Sequence, residues 1–385
     1  MHLQRLPMIR TFGVIPAALA AALIWAAPAQ AIEVLAKQAI LIDYQTGAVL
    51  LEKNPDQKMT PSSMSKMATV YKAFEQLKEG RLSLEDTMPV SEKAWRKQGS
   101  KMFVMLNTRV KVEDLLRGII VQSGNDACIV LAEGLSGTEA AFAQELNEVA
   151  RRLGMTNTNM VNASGWPDPG HVSTARDLAK LAIATIRDFP QYYPYYAEKD
   201  FTYNGIKQGN RDPLLYKDVG ADGLKTGHTE EGGYGIAASA VRNGLRLVLV
   251  VNGLKTVNER AREAERLLDY GFREFNNYAL FNAGQTVTEA PVWLGNEAKV
   301  PLTVKEPLLM TMPVKARKDM VVKAVYDSPI AAPVIEGQRV GTIRIEAPDM
   351  PVKEVPLLAG RTVDKLGVMS RLSAALKYIV WGEHG

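Results

Sequence analysis

The chain has 385 residues, of which 46% are hydrophobic and 23% are charged, and its formal net charge is +4. This composition is typical of a globular protein of roughly two or three domains and argues against disorder over most of the length. The small net charge gives no surplus for binding nucleic acid, and a single cysteine, Cys128, excludes an intrachain disulfide.

The N-terminal segment, residues 1–31, is predicted to be a secretory signal peptide. It begins with Arg5 and Arg10, continues with an apolar run, and ends in the small-residue site Ala29-Gln30-Ala31. An uncleaved membrane anchor explains the pattern less well, because the apolar run is short for a membrane span and contains Pro16. We therefore expect an exported protein.

The mature chain is predicted to open with a β-hairpin over residues 39–51, turning at Gln45-Thr46-Gly47. A helix follows, with Thr60 as its N-cap, Pro61 in its first turn and Gly80 at its end. This helix carries two serines at its start, where the helix dipole favours a developing negative charge.

Helices and strands then alternate in a way that predicts an α+β fold, a mixed sheet packed by a helical cluster. The expected helices cover residues 112–121, 126–135, 139–153, a stretch after Ser173, and 257–277, and the expected strand covers 245–254. Asp222-Gly223 is expected to break a strand before residue 225. The first domain is placed at residues 32–280.

A second, small β domain, a β-sandwich stem, is predicted over residues 281–362, where short valine-rich runs alternate with nine prolines and no helical period is found. Residues 363–381 then form an amphipathic helical pattern with Arg371 and Lys377 on its polar face. Such a helix could lie in a membrane interface, or pack back on the protein, or pair with another subunit.

Three short motifs could carry chemistry. Ser63-Met64-Ser65-Lys66 places a hydroxyl and an amine one helical turn apart, so that the amine can reach the hydroxyl. Ser123-Gly124-Asn125 and Lys225-Thr226-Gly227 follow it. Taken singly, the second is a good turn and the third could begin a strand or a loop. Their joint order is the pattern of serine acyl-transfer enzymes that bind penicillin.

On these motifs the sequence resembles the low-molecular-weight penicillin-binding proteins, which are serine-type D-alanyl-D-alanine carboxypeptidases. The resemblance covers residues 32–381, and its further family-like stretches are Ile42-Asp43, Thr46-Gly47, 99–103, 123–128, 171–177 and 225–229. It implies a β-lactamase/transpeptidase-like catalytic domain, the small β domain and the terminal helix. No cofactor and no metal are expected, since His228 lacks a second histidine at ligand spacing.

The residues themselves support a nucleophilic mechanism. A serine hydroxyl needs an adjacent base, and Lys66 is placed to serve Ser63. An ordinary lysine is protonated, so burial and a second cation, expected to be Lys225, must favour the neutral amine. Ser123 could relay a proton to the departing amine.

The resemblance implies roles for the other residues of the site. Backbone N–H groups of Ser63 and His228 would stabilise the tetrahedral oxygen. Lys225, Thr226 and Arg260 would hold the terminal carboxylate of the substrate, and the lack of a side chain at Gly227 would let the acyl chain lie close to the strand.

Three more polar residues have expected positions. The resemblance implies that Asn125 orients Lys66 and the substrate amide. Asp177 is expected to cap a helix or orient a loop. His171 is expected to be a loop histidine satisfied by backbone groups.

The predicted function is removal of the terminal D-alanine from peptidoglycan pentapeptide, with β-lactams as covalent inhibitors. The enzyme is expected in the periplasm, held by the terminal helix at the outer face of the cytoplasmic membrane. A β-lactamase is disfavoured because Ala143 stands where Glu-x-x-Leu-Asn requires glutamate before Leu146-Asn147. A transpeptidase, a non-catalytic envelope scaffold and an esterase or amidase acting on D-amino peptides stay open as alternatives.

Overall fold

The computed structural model describes residues 32–367. The predicted signal peptide and most of the predicted terminal helix, residues 368–385, lie outside the described residues. Among the described residues, those from Val34 to Gly367 form one unit by their contacts. Between residues 32 and 367, no helix combines the length and apolar character that crossing a membrane requires.

The described part contains seven α-helices and seventeen β-strands. The helices are α1 (Lys66–Lys78), α2 (Glu92–Arg96), α3 (Val112–Ile120), α4 (Asn125–Ser136), α5 (Glu139–Arg152), α6 (Ala175–Asp188) and α7 (Val257–Glu274). The strands of the first half are β1 (Gln38–Asp43), β2 (Val49–Lys53), β3 (Thr87–Pro89), β4 (Arg109–Lys111), β5 (Asp200–Tyr203), β6 (Ile206–Gly209), β7 (Ala221–Thr229), β8 (Gly233–Arg242) and β9 (Leu245–Leu254). The strands that follow are β10 (Phe275–Phe281), β11 (Thr286–Trp293), β12 (Lys299–Thr303), β13 (Leu308–Pro313), β14 (Val321–Tyr326), β15 (Ile330–Ala331), β16 (Arg339–Glu346) and β17 (Lys353–Ala359).

The first domain is built on a five-stranded sheet in the order β2-β1-β9-β8-β7, in which every neighbouring pair is antiparallel. Side chains alternate between its two faces. Ile40 pairs with Val250, and both belong to the core that α1 to α6 share. On the opposite face, Leu41 and Leu247 lie against Gly271 of α7. The sheet is therefore covered on both faces, which is the predicted α+β arrangement.

The first helix begins differently from the prediction. A 3-10 turn, Ser62–Ser65, precedes α1, with Pro61 before it and no side-chain cap, so the prediction of Thr60 as N-cap is wrong. The reason is that Ser62 has a φ of 52°, a left-handed conformation that a continuous helix cannot contain. The expected helices over residues 112–121, 126–135 and 139–153 and the one after Ser173 are confirmed, and Gly80 with a φ of 69° follows the end of α1.

Two further local predictions are wrong. Strand β7 runs through Asp222-Gly223 and absorbs them by a register shift against β8, because pairing with a neighbour outweighs local propensity. Helix α7 ends at Glu274, three residues before its predicted end. Phe275 already belongs to β10, which pairs with β13, a partner too distant in sequence for helical periodicity to detect.

The second domain consists of β strands. A six-stranded sheet has the order β14-β16-β17-β12-β11-β15, and β10 pairs with β13. The two sets of strands share an apolar core whose buried members include Val300, Met312, Ile343 and Leu357. The pairing begins at residue 275, ahead of the predicted limit of 281, and the only helical turn described after residue 281 is 3-10.

The predicted terminal helix does not begin at Val363. This residue is fully buried and exchanges backbone hydrogen bonds with Val334 in both directions, and Lys365 forms a bridge with Gly295. Val363 and Leu366 stand at helical spacing, which is why the sequence predicts a helix here, but the backbone of Val334 offers a pairing partner and decides for β structure. The remainder of the predicted helix lies beyond the described residues.

The turn between β1 and β2 contacts the second domain. The buried carboxylate of Asp43 accepts hydrogen bonds from the Thr46 amide at 2.7 Å and from the Asn277 side chain at 3.0 Å. The hydroxyls of Thr46 and Thr311 are also in contact. The predicted hairpin turn is thus held on its far side by β10 and β13.

Candidate active site

The first motif folds into a hydrogen-bonded pair. Ser63 lies in the 3-10 turn and Lys66 is the first residue of α1. The Lys66 side chain is fully buried, and its Nζ lies 2.9 Å from the Ser63 Oγ. A turn of 3-10 geometry followed directly by the helix keeps residues i and i+3 on one side, so the amine reaches the hydroxyl.

Two acceptors complete the surroundings of the Lys66 amine. The Asn125 Oδ1 lies 2.8 Å from Nζ, and the backbone carbonyl of Ser164 lies 2.6 Å away. The orientation of the Asn125 amide is determined by its Nδ2, which donates to the Gln98 carbonyl at 2.9 Å. Both groups can therefore only accept from Lys66.

The segment at residues 99–103 forms a wall beside Asn125. The buried Asp126 carboxylate accepts from the backbone amides of Met102 and Phe103, each at 2.9 Å. The backbone N–H of Asn125 donates to the backbone carbonyl of Ser100 at 2.7 Å. A Cβ at Gly99 would lie 2.7 Å from the Asn125 Nδ2, so only glycine allows this approach.

Ser123 occupies the junction between α3 and α4. It is buried, with a φ of 60°, and Gly124 N-caps α4 directly after it. Left-handed backbone at a non-glycine residue is uncommon and clusters at functional sites. Ser123 thus lies two residues before Asn125, whose side chain contacts the Lys66 amine.

Strand β7 supplies the third motif. Lys225 and Thr226 are both buried, and a Cβ at Gly227 would lie 3.0 Å from the Pro61 carbonyl oxygen and 3.1 Å from the Ser62 Cβ. The expectation that Gly227 makes room for the acyl chain is therefore incomplete. Its absent side chain lets β7 pack against the turn that carries Ser63.

His228 lies near the end of β7, and Arg260 lies on α7, with Tyr234 near both side chains. The exposed His228 ring stacks on Tyr234 at 3.9 Å between ring centroids, and within residues 32–367 no hydrogen bond joins it to Ser63 or Lys66. The Arg260 guanidinium lies 5.8 Å from the same Tyr234 ring centre. Its Nε is buried and has no hydrogen-bond partner among the described residues.

The site concentrates positive charge. Burial lowers the pKa of Lys66 to about 8, and the cations Arg211 and Lys97 add to the lowering. Burial, Lys66 and Arg211 hold the pKa of Lys225 well below its usual range. Repulsion between the two buried amines is mutual, so each disfavours the protonated form of the other, and Arg211 adds to the effect on both. The role of Lys225 as the cation that keeps Lys66 neutral stays a prediction.

Three contributors had no signal in the sequence motifs. Ser164 acts through its carbonyl, which any residue carries. Arg211 lies in a loop, and its guanidinium donates to the Ser100 hydroxyl at 2.6 Å. Asp212 is buried beside it with one oxygen unpaired among the described residues, and burial raises its pKa to about 7 against the pull of Arg260 and Lys225.

The remaining predicted polar residues have structural partners. The Asp177 carboxylate accepts from the Asn157 amide and the Thr158 hydroxyl, both at 2.9 Å, which confirms that it orients a loop. The His171 ring accepts one backbone N–H, from Val161, but its other nitrogen contacts the Ser65 hydroxyl. Across the described part of the chain, no group of three or more His, Cys, Asp and Glu side chains is placed to hold a metal ion.

Comparisons with known proteins identify the family of the chain. A family model described as D-alanyl-D-alanine carboxypeptidase matches residues 25–256. The chain belongs to this D-alanyl-D-alanine carboxypeptidase family. A second family model, the C-terminal domain of penicillin-binding protein 5, matches residues 275–365. This match covers the second domain, which consists of β strands.

Individual relatives extend the match over most of the chain. The D-alanyl-D-alanine carboxypeptidase DacA of Haemophilus influenzae is 38% identical over 348 residues, 88% of each protein. The crystal structure of penicillin binding protein 5 from Haemophilus influenzae is similar with a TM-score of 0.78 at 37% identity, covering 87% of this chain and 99% of that one. Penicillin-binding protein D2 from Listeria monocytogenes, solved in a cefotaxime-bound form, is 31% identical with a TM-score of 0.58 and covers 63% of this chain and 98% of its own.

Proposed function

We propose that this carboxypeptidase is of the serine type, with Ser63 as its nucleophile, and that it removes the terminal D-alanine from the peptidoglycan stem pentapeptide. The observation that carries the proposal is the environment of the Lys66 amine. Its Nζ lies between the Ser63 hydroxyl and two oxygens that can only accept.

This arrangement supports a role for the neutral amine as a base. A neutral amine has two N–H groups and one lone pair. The N–H groups bond to the Asn125 Oδ1 and the Ser164 carbonyl, and the lone pair is left facing the hydroxyl proton of Ser63. Lys66 in its neutral form is thus placed as general base for Ser63.

The acyl-transfer step follows from these positions. The Ser63 Oγ bonds to the carbonyl carbon of the penultimate D-alanine while its proton passes to Lys66. The backbone N–H groups of Ser63 and His228 stabilise the tetrahedral oxygen, since Gly227 brings β7 against the turn of Ser63. Collapse breaks the peptide C–N bond, and the leaving amine takes a proton from Lys66 through Ser123. Water then hydrolyses the ester.

The terminal carboxylate of the substrate brings a negative charge into a site rich in basic side chains. Lys225, Thr226 and Arg260 bind it, and its arrival raises the pKa of Lys225 back toward the protonated state. Arg260 is buried with an Nε that has no partner among the described residues, and the buried Lys225 amine lies where an anion would favour its protonated form, so an anion is favoured there. A substrate without a free C-terminal carboxylate should therefore be turned over poorly.

β-Lactams are proposed as covalent inhibitors that acylate the same serine. The structural likeness to a penicillin-binding protein solved with cefotaxime supports this. Brief treatment with benzylpenicillin should add the mass of one intact drug molecule, and digestion should map it to the peptide containing Ser63. The Ser63→Ala variant should show no adduct and no turnover, whereas Ser62→Ala, its neighbour, should still be labelled. An adduct on another residue would contradict the assignment.

The pH dependence of activity should follow the base. Lys66 acts in its neutral form, so protonation below its pKa of about 8 removes activity. We expect kcat/KM to rise about tenfold per pH unit below that value and to level off above it. Steady-state rates between pH 5 and 10 measure this, with stability checked at each pH. An acid limb centred near 4 would instead indicate a carboxylate base.

We propose a periplasmic location with attachment of the C-terminal segment to the cytoplasmic membrane. The support is the cationic amphipathic pattern of residues 363–381, of which residues 368–381 lie outside the described structure. Because Val363 is built into the β domain, a deletion should start at residue 368 to leave that domain intact. The truncated protein should be active in the soluble fraction. Its recovery with membranes would show that this segment is not the anchor.

A further inference from the structure

A chain of buried hydrogen bonds runs behind the proposed nucleophile without including it. The Val161 amide donates to the His171 Nδ1 at 3.1 Å, the His171 Nε2 lies 2.8 Å from the Ser65 Oγ, and the Ser65 hydroxyl lies 2.8 Å from the Ser62 carbonyl oxygen. His171 and Ser65 are almost completely buried. Neither has a part in the acyl-transfer steps above.

The direction of every proton in this chain follows from its ends. A backbone N–H can only donate, so the His171 Nδ1 accepts and the proton of the neutral ring is on Nε2. Nε2 therefore donates to the Ser65 oxygen, and the Ser65 proton is directed to the Ser62 carbonyl. Burial lowers the pKa of His171 to about 4, so the ring keeps this form over the working range.

The final acceptor belongs to the peptide bond that joins Ser62 to Ser63. In a trans peptide the C=O and N–H point in opposite directions in one plane. Holding the Ser62 carbonyl toward Ser65 therefore turns the Ser63 N–H the other way. The carbonyl also needs the open space beside Gly165, where a Cβ would lie only 1.9 Å from it.

This peptide needs support because its backbone is uncommon. Ser62 has a φ of 52°, which non-glycine residues adopt only where surrounding contacts hold them. On the strand side, the Ser62 hydroxyl bonds to the Thr229 hydroxyl at 3.1 Å. On the opposite side the support comes from Ser65 and, through it, from His171.

We propose that His171, acting through Ser65, is a positioning residue that holds the Ser62–Ser63 peptide so that the Ser63 N–H points at the oxygen of the tetrahedral intermediate. The inference rests on the proposed function, since it assumes that Ser63 is the nucleophile and that its own N–H is an oxyanion donor. It assigns to a buried histidine a part in transition-state stabilisation without proton transfer.

Matched substitutions at position 65 test the proposal. Ser65→Ala removes the bond to the carbonyl, and Ser65→Cys keeps the volume but donates weakly. Both should lower kcat and the benzylpenicillin acylation rate about 10- to 100-fold, somewhat less than complete loss of an oxyanion donor, with KM within about twofold. Ser65→Thr keeps the hydroxyl and His171→Gln keeps a donor near Nε2, so both should retain most of the rate.

Two further readouts separate positioning from simple packing. A boronic acid that forms a tetrahedral adduct with Ser63 should lose affinity in Ser65→Ala by the same factor as kcat/KM falls, because both depend on the oxyanion donor. The acid limb of the pH profile should stay in place in His171→Gln, since the histidine is not the base. Thermal unfolding is measured for each variant, and Ser65→Cys decides if the alanine variant does not fold.

The result that would overturn the proposal is a folded Ser65→Ala or Ser65→Cys protein with wild-type kcat and boronate affinity. Loss of the acid limb in His171→Gln would also overturn it, by making the ring a proton carrier. Failure of the proposed function is distinguishable, because it would show as absent labelling of Ser63 in the unaltered protein.

Discussion

Replacing Lys66 by methionine should reduce acylation of Ser63 by benzylpenicillin by about 10²- to 10⁴-fold, the usual contribution of a positioned general base. Methionine has a similar length but no lone pair that can take the serine proton. Lys66→Arg should lose as much, because arginine is protonated at every working pH. The measurement is the rate of adduct formation followed by mass spectrometry, at a pH near 9 where the wild-type amine is neutral.

Lys72 provides a matched control on the same helix. It is nearly buried too, but its amine is paired with Glu75 at 3.3 Å and Glu145 at 3.1 Å, away from Ser63. Lys72→Met should change the unfolding temperature and leave acylation within about threefold of wild type. If Lys66→Arg acylated as fast as the wild type, the amine would act as a fixed cation and the assignment of the base would fail.

Arg260→Gln should raise KM for a peptide ending in D-alanyl-D-alanine about 10- to 100-fold while changing kcat little, because a charge-assisted hydrogen bond to a carboxylate is worth about 1.5–3 kcal/mol. The reason is that the Nε of the buried guanidinium has no partner in the described structure. The positive charge of Arg260 also acts on Lys225, whose pKa it lowers. Steady-state kinetics with the free acid and with the C-terminal amide of the same peptide measure the effect.

The exposed Arg262 on α7 serves as the control for this experiment. Arg262→Gln removes an equal charge two residues away and should leave KM within about twofold. The informative comparison is between substrates: Arg260→Gln should reduce the preference for the acid over the amide. An equal rise in KM for both substrates would mean that the substitution acts through folding or through the overall electrostatic potential of the site. Recognition of the carboxylate by Arg260 would then be excluded. The charge of Arg260 also acts on the buried Asp212 carboxyl, whose pKa it lowers against the effect of burial. Thermal unfolding of Arg260→Gln is therefore measured alongside the kinetics.

Much of the candidate site could be predicted because it is local. Ser63 and Lys66 are three residues apart, and any helical turn brings such a pair together. The helices α3 to α6 were predictable for the same reason, because the apolar period and the capping residues of a helix lie within one short segment. An example is the Thr174 hydroxyl, which accepts a hydrogen bond from the Asp177 backbone N–H at the start of α6. The order of the three motifs identified the family resemblance before any fold was known.

Long-range partners explain the errors. Phe275 left the predicted helix to pair across from β13, and Val363 left its predicted helix to exchange hydrogen bonds with Val334. In each case apolar residues interspersed with polar ones were compatible with a helix or with a strand. The free backbone of a distant strand decided between them, and no periodicity within the segment contains that information.

The sequence by itself determined which chemistry is available here: a serine with a lysine one turn away, and two further motifs of the same acyl-transferase pattern. Only the tertiary structure decided how that chemistry is controlled. The Ser164 carbonyl, the Arg211 cation and the His171–Ser65 chain all act on the first motif from elements far away in sequence. The physical reason is that a pKa and the direction of a peptide N–H depend on burial and on through-space neighbours, which only folding brings together.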